Sequence, residues 1–222
     1  RLSVISTGIG PDNIDIVINE LDALAHIDLK TKEIKAIGRT LNIVRIGTSG
    51  SVQADIPVDS FVISEKSIGC DGVLRFYANN ESVCDHPFEE AFIRHCRWTP
   101  SAARPYVVNA DPGLADRLYD EEHTIKGVTL TAVGFYGPQG RVLRLPLAMP
   151  GINDRITAFR YEGYKVTNYE MESAAITGLC NLLGHRAATI CLIIANRING
   201  DASADYHSYM NKLIRYTLEK LS

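Results

Sequence analysis

Short runs rich in β-branched and apolar residues alternate with amphipathic segments along the whole chain, and no Pro/Gly/Ser linker or block of like charge interrupts them. That alternation predicts one α/β domain over residues 1–222, with helices flanking a mostly buried sheet. The clearest unit stands at the front. Residues 2–6 read as a strand, Gly8, Gly10 and Pro11 break it, and Ile14, Val17, Ile18, Leu21, Leu24 and Ala25 then follow the three-four spacing of one buried helical face. Asp12 is placed to cap that helix, with Asp15 in its first turn. Further strands are expected at 41–46, 60–64, 73–78, 106–110 and 128–135, the first of them ending in a glycine turn over 47–50. Helices are expected at 88–96, 113–120, 152–161, 170–183 and 205–221. In sheets of this kind ligands bind beyond the carboxyl ends of the strands, which directs attention to loops 8–13, 47–50, 135–141 and 168–172.

Composition narrows the function classes. With 222 residues, 45% apolar and 22% charged, the chain lies far from the disordered regime, and a chain this long buries about 70% of its unfolded surface. A formal net charge of −3 argues against a nucleic-acid partner, because non-specific binding rests on clustered positive charge. Five cysteines, at 70, 84, 96, 180 and 191, form no C-x-x-C pair and are odd in number, which fits a reduced, cytoplasmic setting. The most apolar run, 187–195, is far short of the roughly 20 residues that cross a bilayer, so no membrane partner is expected.

Four segments carry candidate chemistry. Gly8-Ile9-Gly10 only half matches the dinucleotide fingerprint, since Asn13 stands at the third glycine position; a tight turn is the better reading. Arg45-Ile46-Gly47-Thr48-Ser49-Gly50 offers backbone N–H groups, two hydroxyls and a guanidinium that suit an oxyanion, although an ordinary β-turn with a surface Arg fits equally well. Phe135-Tyr136-Gly137-Pro138-Gln139-Gly140-Arg141 joins aromatic faces to an amide and a fork of donors, as a planar base with carbonyls requires; a solvated loop is the alternative. Asn168-Tyr169-Glu170-Met171-Glu172-Ser173 opens a helix with two acids that cannot share a helical face, so one favours the helix N-terminus and the other points into a cleft. Met171 by itself reads as core packing. The six histidines show neither H-x-x-x-H nor H-E-x-x-H, no G-x-S-x-G elbow is present, and no metal is expected.

Read in order, 5–10, Arg45 to Gly50, Phe135 with Gln139 and Arg141, Asn168 to Ala174, and Ile194-Ala195-Asn196-Arg197 closely resemble the nucleoside phosphorylases of the uridine phosphorylase kind. The resemblance implies a three-layer fold with a mixed central sheet. It also implies phosphorolysis without a cofactor: inorganic phosphate attacks C1′ of uridine or a related pyrimidine nucleoside, giving uracil and ribose 1-phosphate. Carried over by position, Arg45 and Thr48 look like phosphate ligands, with Thr48, Met171 and Glu172 at the ribose. Phe135, Gln139, Arg141, Glu170, Ile194 and Ala195 look like the base side, and Arg45, Arg141 and Glu172 like the catalytic set. Purine-directed relatives, phosphorylases and nucleosidases, resemble this pattern but have an Asp where this chain has Asn196. The family also has a strand and a G-x-P-x-R-like loop ahead of the 5–10 segment, and lends a His and an Arg across a dimer interface. Neither is in this sequence, so a sequence beginning inside the family's domain is expected, and a catalytically weak nucleoside-binding homologue stays open. The assembly implied is a homodimer or hexamer with shared active sites.

Overall fold

The computed structural model describes residues 2–222. In chain order it comprises helix α1 (Pro11–His26), strands β1 (Ile27–Asp28), β2 (Glu33–Ile34), β3 (Asn42–Ser51) and β4 (Phe61–Gly69), α2 (His86–Cys96), β5 (Tyr106–Asn109), α3 (Pro112–Leu118) and β6 (Thr124–Thr131). There follow α4 (Ile152–Ala158), β7 (Arg160–Tyr161), β8 (Tyr164–Glu170), α5 (Ser173–Leu183), β9 (Arg186–Asn196), β10 (Asp201–Ala202) and α6 (Tyr206–Leu221).

The expected α/β architecture with a mixed sheet is what forms. The main sheet runs β10-β9-β3-β8-β6-β4-β5, with β7 attached to β8. Pairs β3–β9, β4–β6 and β6–β8 are parallel, whereas β3–β8 and β4–β5 are antiparallel. The start of β4 also pairs with β9, so β9, β3, β8, β6 and β4 close on themselves.

Side-chain alternation along β9 explains the layers. Ala187 packs in the cluster made by α1 and α5 with Tyr106 and Val108, while Ala188, Ile190 and Leu192 pack in the cluster made by α3 and α6. A third cluster joins α2 and α4 to Ile68, Val128, Leu130 and Val166 of the sheet, around Phe88, Phe92 and Phe159. Phe88 is wholly buried and meets Phe159 edge-on at 5.4 Å; truncating such a side chain to Ala costs about 3–5 kcal/mol.

Between β4, β6, β8 and β3 the interior is polar. Ser64 and Thr129 hydroxyls are 2.5 Å apart, Thr129 donates to Asn168 Oδ1 at 3.0 Å, and Asn168 Nδ2 donates to Ser49 Oγ at 2.9 Å. Every link is buried and partnered, so this string fixes the strands rather than weakening them.

The structure departs from the sequence reading at several points, among them β8, which has no counterpart among the expected strands, and the start of α5 at Ser173 rather than at 170. Residues 2–6 pair with no strand and are exposed. The predicted turn over 47–50 is instead the second half of β3, which stays in register with β9 until a bulge at Ser49/Gly50. Residues 73–76 form a 3₁₀ turn rather than a strand, entered through Gly72 in the left-handed region. Asp12 does not cap α1: the N-cap is Gly10 (φ 95°), with Pro11 at the first helical position. Gly8 and Gly10 have positive φ as a tight turn requires, but the expected buried face of α1 narrows to Ile14 and Ile18: Val17, Leu21 and Ala25 are half-buried and Leu24 is exposed. No helix among the described residues is long and apolar enough to cross a membrane.

Candidate active site

The carboxyl ends of β3, β6, β8 and β9 meet, because Gly50 lies opposite Tyr169 and Ala195, and Thr131 lies beside Glu170. Two hydrogen-bonded groups of side chains occupy this edge.

The first is centred on Arg45. Its guanidinium pairs with Glu172 Oε2, lies 3.2 Å from Glu170 Oε2 and donates to Cys191 Sγ at 3.2 Å. Gly47 makes room for it, since a Cβ there would stand 2.6 Å from the guanidinium. Burial opposes the charge on Arg45, but Glu170, Cys191 and Glu172 hold its pKa above the usual value. Glu172 accepts from the backbone N–H of Gly10 at 2.8 Å, which ties the front glycine turn to the start of α5. Burial pushes the Glu172 carboxyl up, against the pull of Arg45.

The two acids do not open the helix as expected: Glu170 ends β8 and Glu172 is the N-cap of α5, so strand and cap geometry rather than helical faces separates them. Glu170 Oε2 accepts from the N–H groups of Glu172 and Ser173, both at 2.8 Å, and so caps α5 from inside the fold. Its other oxygen accepts from Thr131 Oγ1 at 2.5 Å, and that hydroxyl accepts from Ala174 N at 2.9 Å. Glu172 is the carboxylate turned toward Arg45 and Gly10. Thr48 follows Arg45 on β3, and Met171 separates the two acids.

The second group is centred on Gln139, which is 3% exposed although it sits on a 3₁₀ turn. Its Oε1 accepts from Arg141 Nη1 at 2.7 Å and from Arg197 Nη2. Arginines only donate, so the amide oxygen must face them and the Nε2 donor is turned away. Arg141 stacks on the half-exposed ring of Phe135 at 3.9 Å, and Arg197 stacks on Tyr169 at 4.4 Å. Burial, with the nearby charge of Arg141, lowers the pKa of Arg197 to about 10. Its Nε is buried without a protein partner, close to the place a Cβ on Gly50 would fill.

Of the base-side residues expected from the sequence, Phe135, Gln139 and Arg141 are together, and Ala195 lies in register with Gly50. Ile194 is the extra residue at the bulge and packs against the cluster under α6. Glu170 sits with Arg45 and Thr131 rather than with Gln139. Asn196 is committed to the backbone: Nδ2 donates to Gln53 O and Ile56 O at 2.9 and 2.8 Å, and Oδ1 accepts from Ile198 N and Asn199 N. The place of Arg197 in the 194–197 motif assigns it no role; only its contact with Gln139, distant in sequence, reveals one. Two surface hollows, of about 370 and 490 Å³, lie elsewhere and include none of these residues.

One histidine cluster lies apart from this edge. Asp22 Oδ1 is 2.8 Å from His26 Nδ1 and 3.2 Å from His185 Nε2. Leu41 N donates to His185 Nδ1, so a neutral His185 ring carries its proton on Nε2 and offers no lone pair there to a metal; neither that Nε2 nor His26 Nδ1 has a hydrogen-bond partner among the described residues.

A family model described as "Phosphorylase superfamily" matches residues 1–217. Uridine phosphorylase from Thermococcus kodakarensis is 28% identical over 206 residues, 90% of this chain and 60% of that protein. Inactive uridine phosphorylase B from Schistosoma mansoni is 34% identical over 105 residues, 43% of this chain and 32% of that protein. A crystal structure of a Trypanosoma brucei nucleoside phosphorylase, described as showing uridine phosphorylase activity, superposes with a TM-score of 0.84 at 26% identity, covering 98% of this chain and 79% of that one. The chain spans about three-fifths of the length of the curated relatives that it matches over most of its own length. With its mixed sheet and its family match over nearly all residues, the chain belongs to the phosphorylase superfamily.

Proposed function

We propose that this protein is a pentosyltransferase that cleaves uridine, or a related pyrimidine nucleoside, with inorganic phosphate to give uracil and ribose 1-phosphate. The observation that carries the reading is the polarity of the Gln139 group. Its amide oxygen is taken by Arg141 and Arg197, so the polar tips left for a ligand are donors. A uracil ring presents two carbonyl acceptors to such a rim, and the negative charge it gains on leaving C1′ falls on those same oxygens. Adenine has no carbonyl, and where its exocyclic amine meets this rim a donor faces a donor.

Arg45 and Thr48 then hold phosphate beneath C1′, and Glu172, with Met171 beside it, accepts from the ribose hydroxyls. The transition state is oxocarbenium-like, so an anion fixed below the sugar and donors fixed at the base supply the electrostatic stabilisation without a covalent nucleophile, metal or organic cofactor. Phosphate must displace Glu172 from Arg45, and the released carboxylate becomes the ribose acceptor. Phe135 and Ala195 flank the base, with Ile194 behind. Glu170 supports this side indirectly, by fixing the start of α5. Asn196 cannot serve as the acid that protonates a purine, since its amide is held by four backbone groups.

Incubation with uridine should release uracil only when phosphate is present. Release without phosphate would make the protein a nucleosidase. Binding of uridine without turnover would favour a catalytically weak homologue, a reading favoured by the double pairing of Arg45 with acids and by the partial match to an inactive relative. Five free cysteines, four of them buried, support a reducing cytoplasmic setting, and a homodimer or hexamer with shared sites is the assembly proposed.

A further inference from the structure

Asn153, the second residue of α4, is absent from every sequence motif above, yet it closes a ring of contacts around the Gln139 group. Its Nδ2 donates to the backbone carbonyls of Gln139 and Gly140, at 3.2 and 3.4 Å. Its Oδ1 accepts from the Tyr169 hydroxyl at 3.3 Å. The Tyr169 ring carries Arg197, and Arg197 returns to Gln139 through both the side-chain oxygen and the carbonyl, the latter at 3.2 Å. Gly140 (φ 67°) permits the close approach, because a Cβ there would lie 2.5 Å from Asn153 Nδ2.

The polarity of this ring admits few substitutes. A tyrosine hydroxyl donating on one side and two carbonyls accepting on the other require a side chain that accepts and donates from one short stem, which describes Asn. An Asp of the same shape would set a carboxylate against two carbonyl oxygens. The ring also ties the 137–141 turn to α4, the end of β8 and the segment after β9, which already pack together through the sheet and the core under α4. A turn held only by its own three backbone bonds, Gln139 N and Arg141 N to Tyr136 O and Gly140 N to Gly137 O, would leave the Gln139 amide free to turn over.

We propose that Asn153 is a positioning residue for pyrimidine recognition: through Tyr169 and the 137–141 turn it fixes the direction in which Gln139 and Arg197 present their donors. This rests on the base-reading role given to Gln139 above. It assigns Asn153 no contact with substrate. Uridine affinity should therefore depend on Asn153, and phosphate affinity should not.

The test uses the full chain with Asn153→Asp, Asn153→Ala and Tyr169→Phe, each checked for a wild-type thermal transition. Amide hydrogen exchange without ligand should show faster exchange for Gln139, Gly140 and Arg141 in Asn153→Asp than in the wild type. Calorimetry with uridine and, separately, inorganic phosphate should give about 10- to 100-fold weaker uridine binding and phosphate binding within twofold, in line with the loss of a group that orients a binding residue. In Asn153→Asp the uridine defect should shrink from pH 7 to pH 5, since a neutral carboxyl regains a donor; a packing role would show no such recovery. Unchanged loop exchange, or equal losses for uridine and phosphate, would overturn the inference even if the wild type binds uridine well. A wild type that binds no uridine would overturn the pyrimidine reading, and the inference with it, whatever the exchange rates.

Discussion

Arg45, in the middle of β3, and Glu172, the N-cap residue of α5, form an ion pair that also gathers the N–H of Gly10 onto the same carboxylate. Strand, helix and front turn are thereby fastened at one point. Arg45→Met should leave Glu170 and Glu172 without a countercharge, costing about 3–5 kcal/mol in urea unfolding at pH 7, as breaking buried pairs does. The cost should shrink at pH 5, where the upshifted Glu172 carboxyl is closer to neutral. Phosphorolysis should fall by about 10²–10³-fold, the size of loss that follows removal of one preorganised donor.

Gly47→Ala separates position from charge. Its Cβ would meet the flexible end of Arg45 at 2.6 Å, so the side chain moves and the strand stays. Thermal stability should change little, while the KM for phosphate rises about 10-fold or more, because misplacement near 1 Å is enough to impair catalysis. A large fall in Tm with an unchanged KM would contradict this account of Gly47.

Arg141 and Arg197 share one acceptor and should not act independently. Arg141→Ala and Arg197→Ala should each lower turnover of uridine far more than affinity for phosphate. The double variant should lose less than the product of the two single losses, since residues in one network are coupled. Strict multiplicativity in kcat/KM would show that Gln139 does not link them.

Asp71 offers a pH test of stability. It accepts from the Tyr106 hydroxyl at 3.0 Å, and burial raises its pKa from 3.8 to about 6. A carboxyl raised in the folded state contributes stability that is fully present below pH 3.8 and is lost as pH rises through about 6. Wild-type stability measured against Asp71→Asn should therefore decline by up to about 3 kcal/mol between pH 4 and pH 7, from roughly two pH units at 1.4 kcal/mol each. Parallel stability curves for the two proteins would remove Asp71 as the cause.

The fold class and the family were legible along the chain, and so were the segments that supply the proposed site. Three-four periodicity marked α1 and α6, and the ordered set from Arg45 to Arg197 carried the family, since both are properties of neighbours along the chain. Residues 164–170 do not read as a strand because Thr167, Asn168 and Glu170 are polar, yet these three are buried and their cost is offset by hydrogen bonds to neighbouring strands. The 47–50 segment looked like a turn because glycine and serine usually break strands; here Gly47 leaves room for a guanidinium two residues back. What the folded chain adds is that both acids meet Arg45 while Glu170 alone caps α5 and Glu172 alone reaches Gly10, and that Arg197 and Asn153 converge on Gln139. Those pairings depend on hydrogen-bond geometry between segments far apart in the chain, and spacing along the sequence carries no record of direction in space.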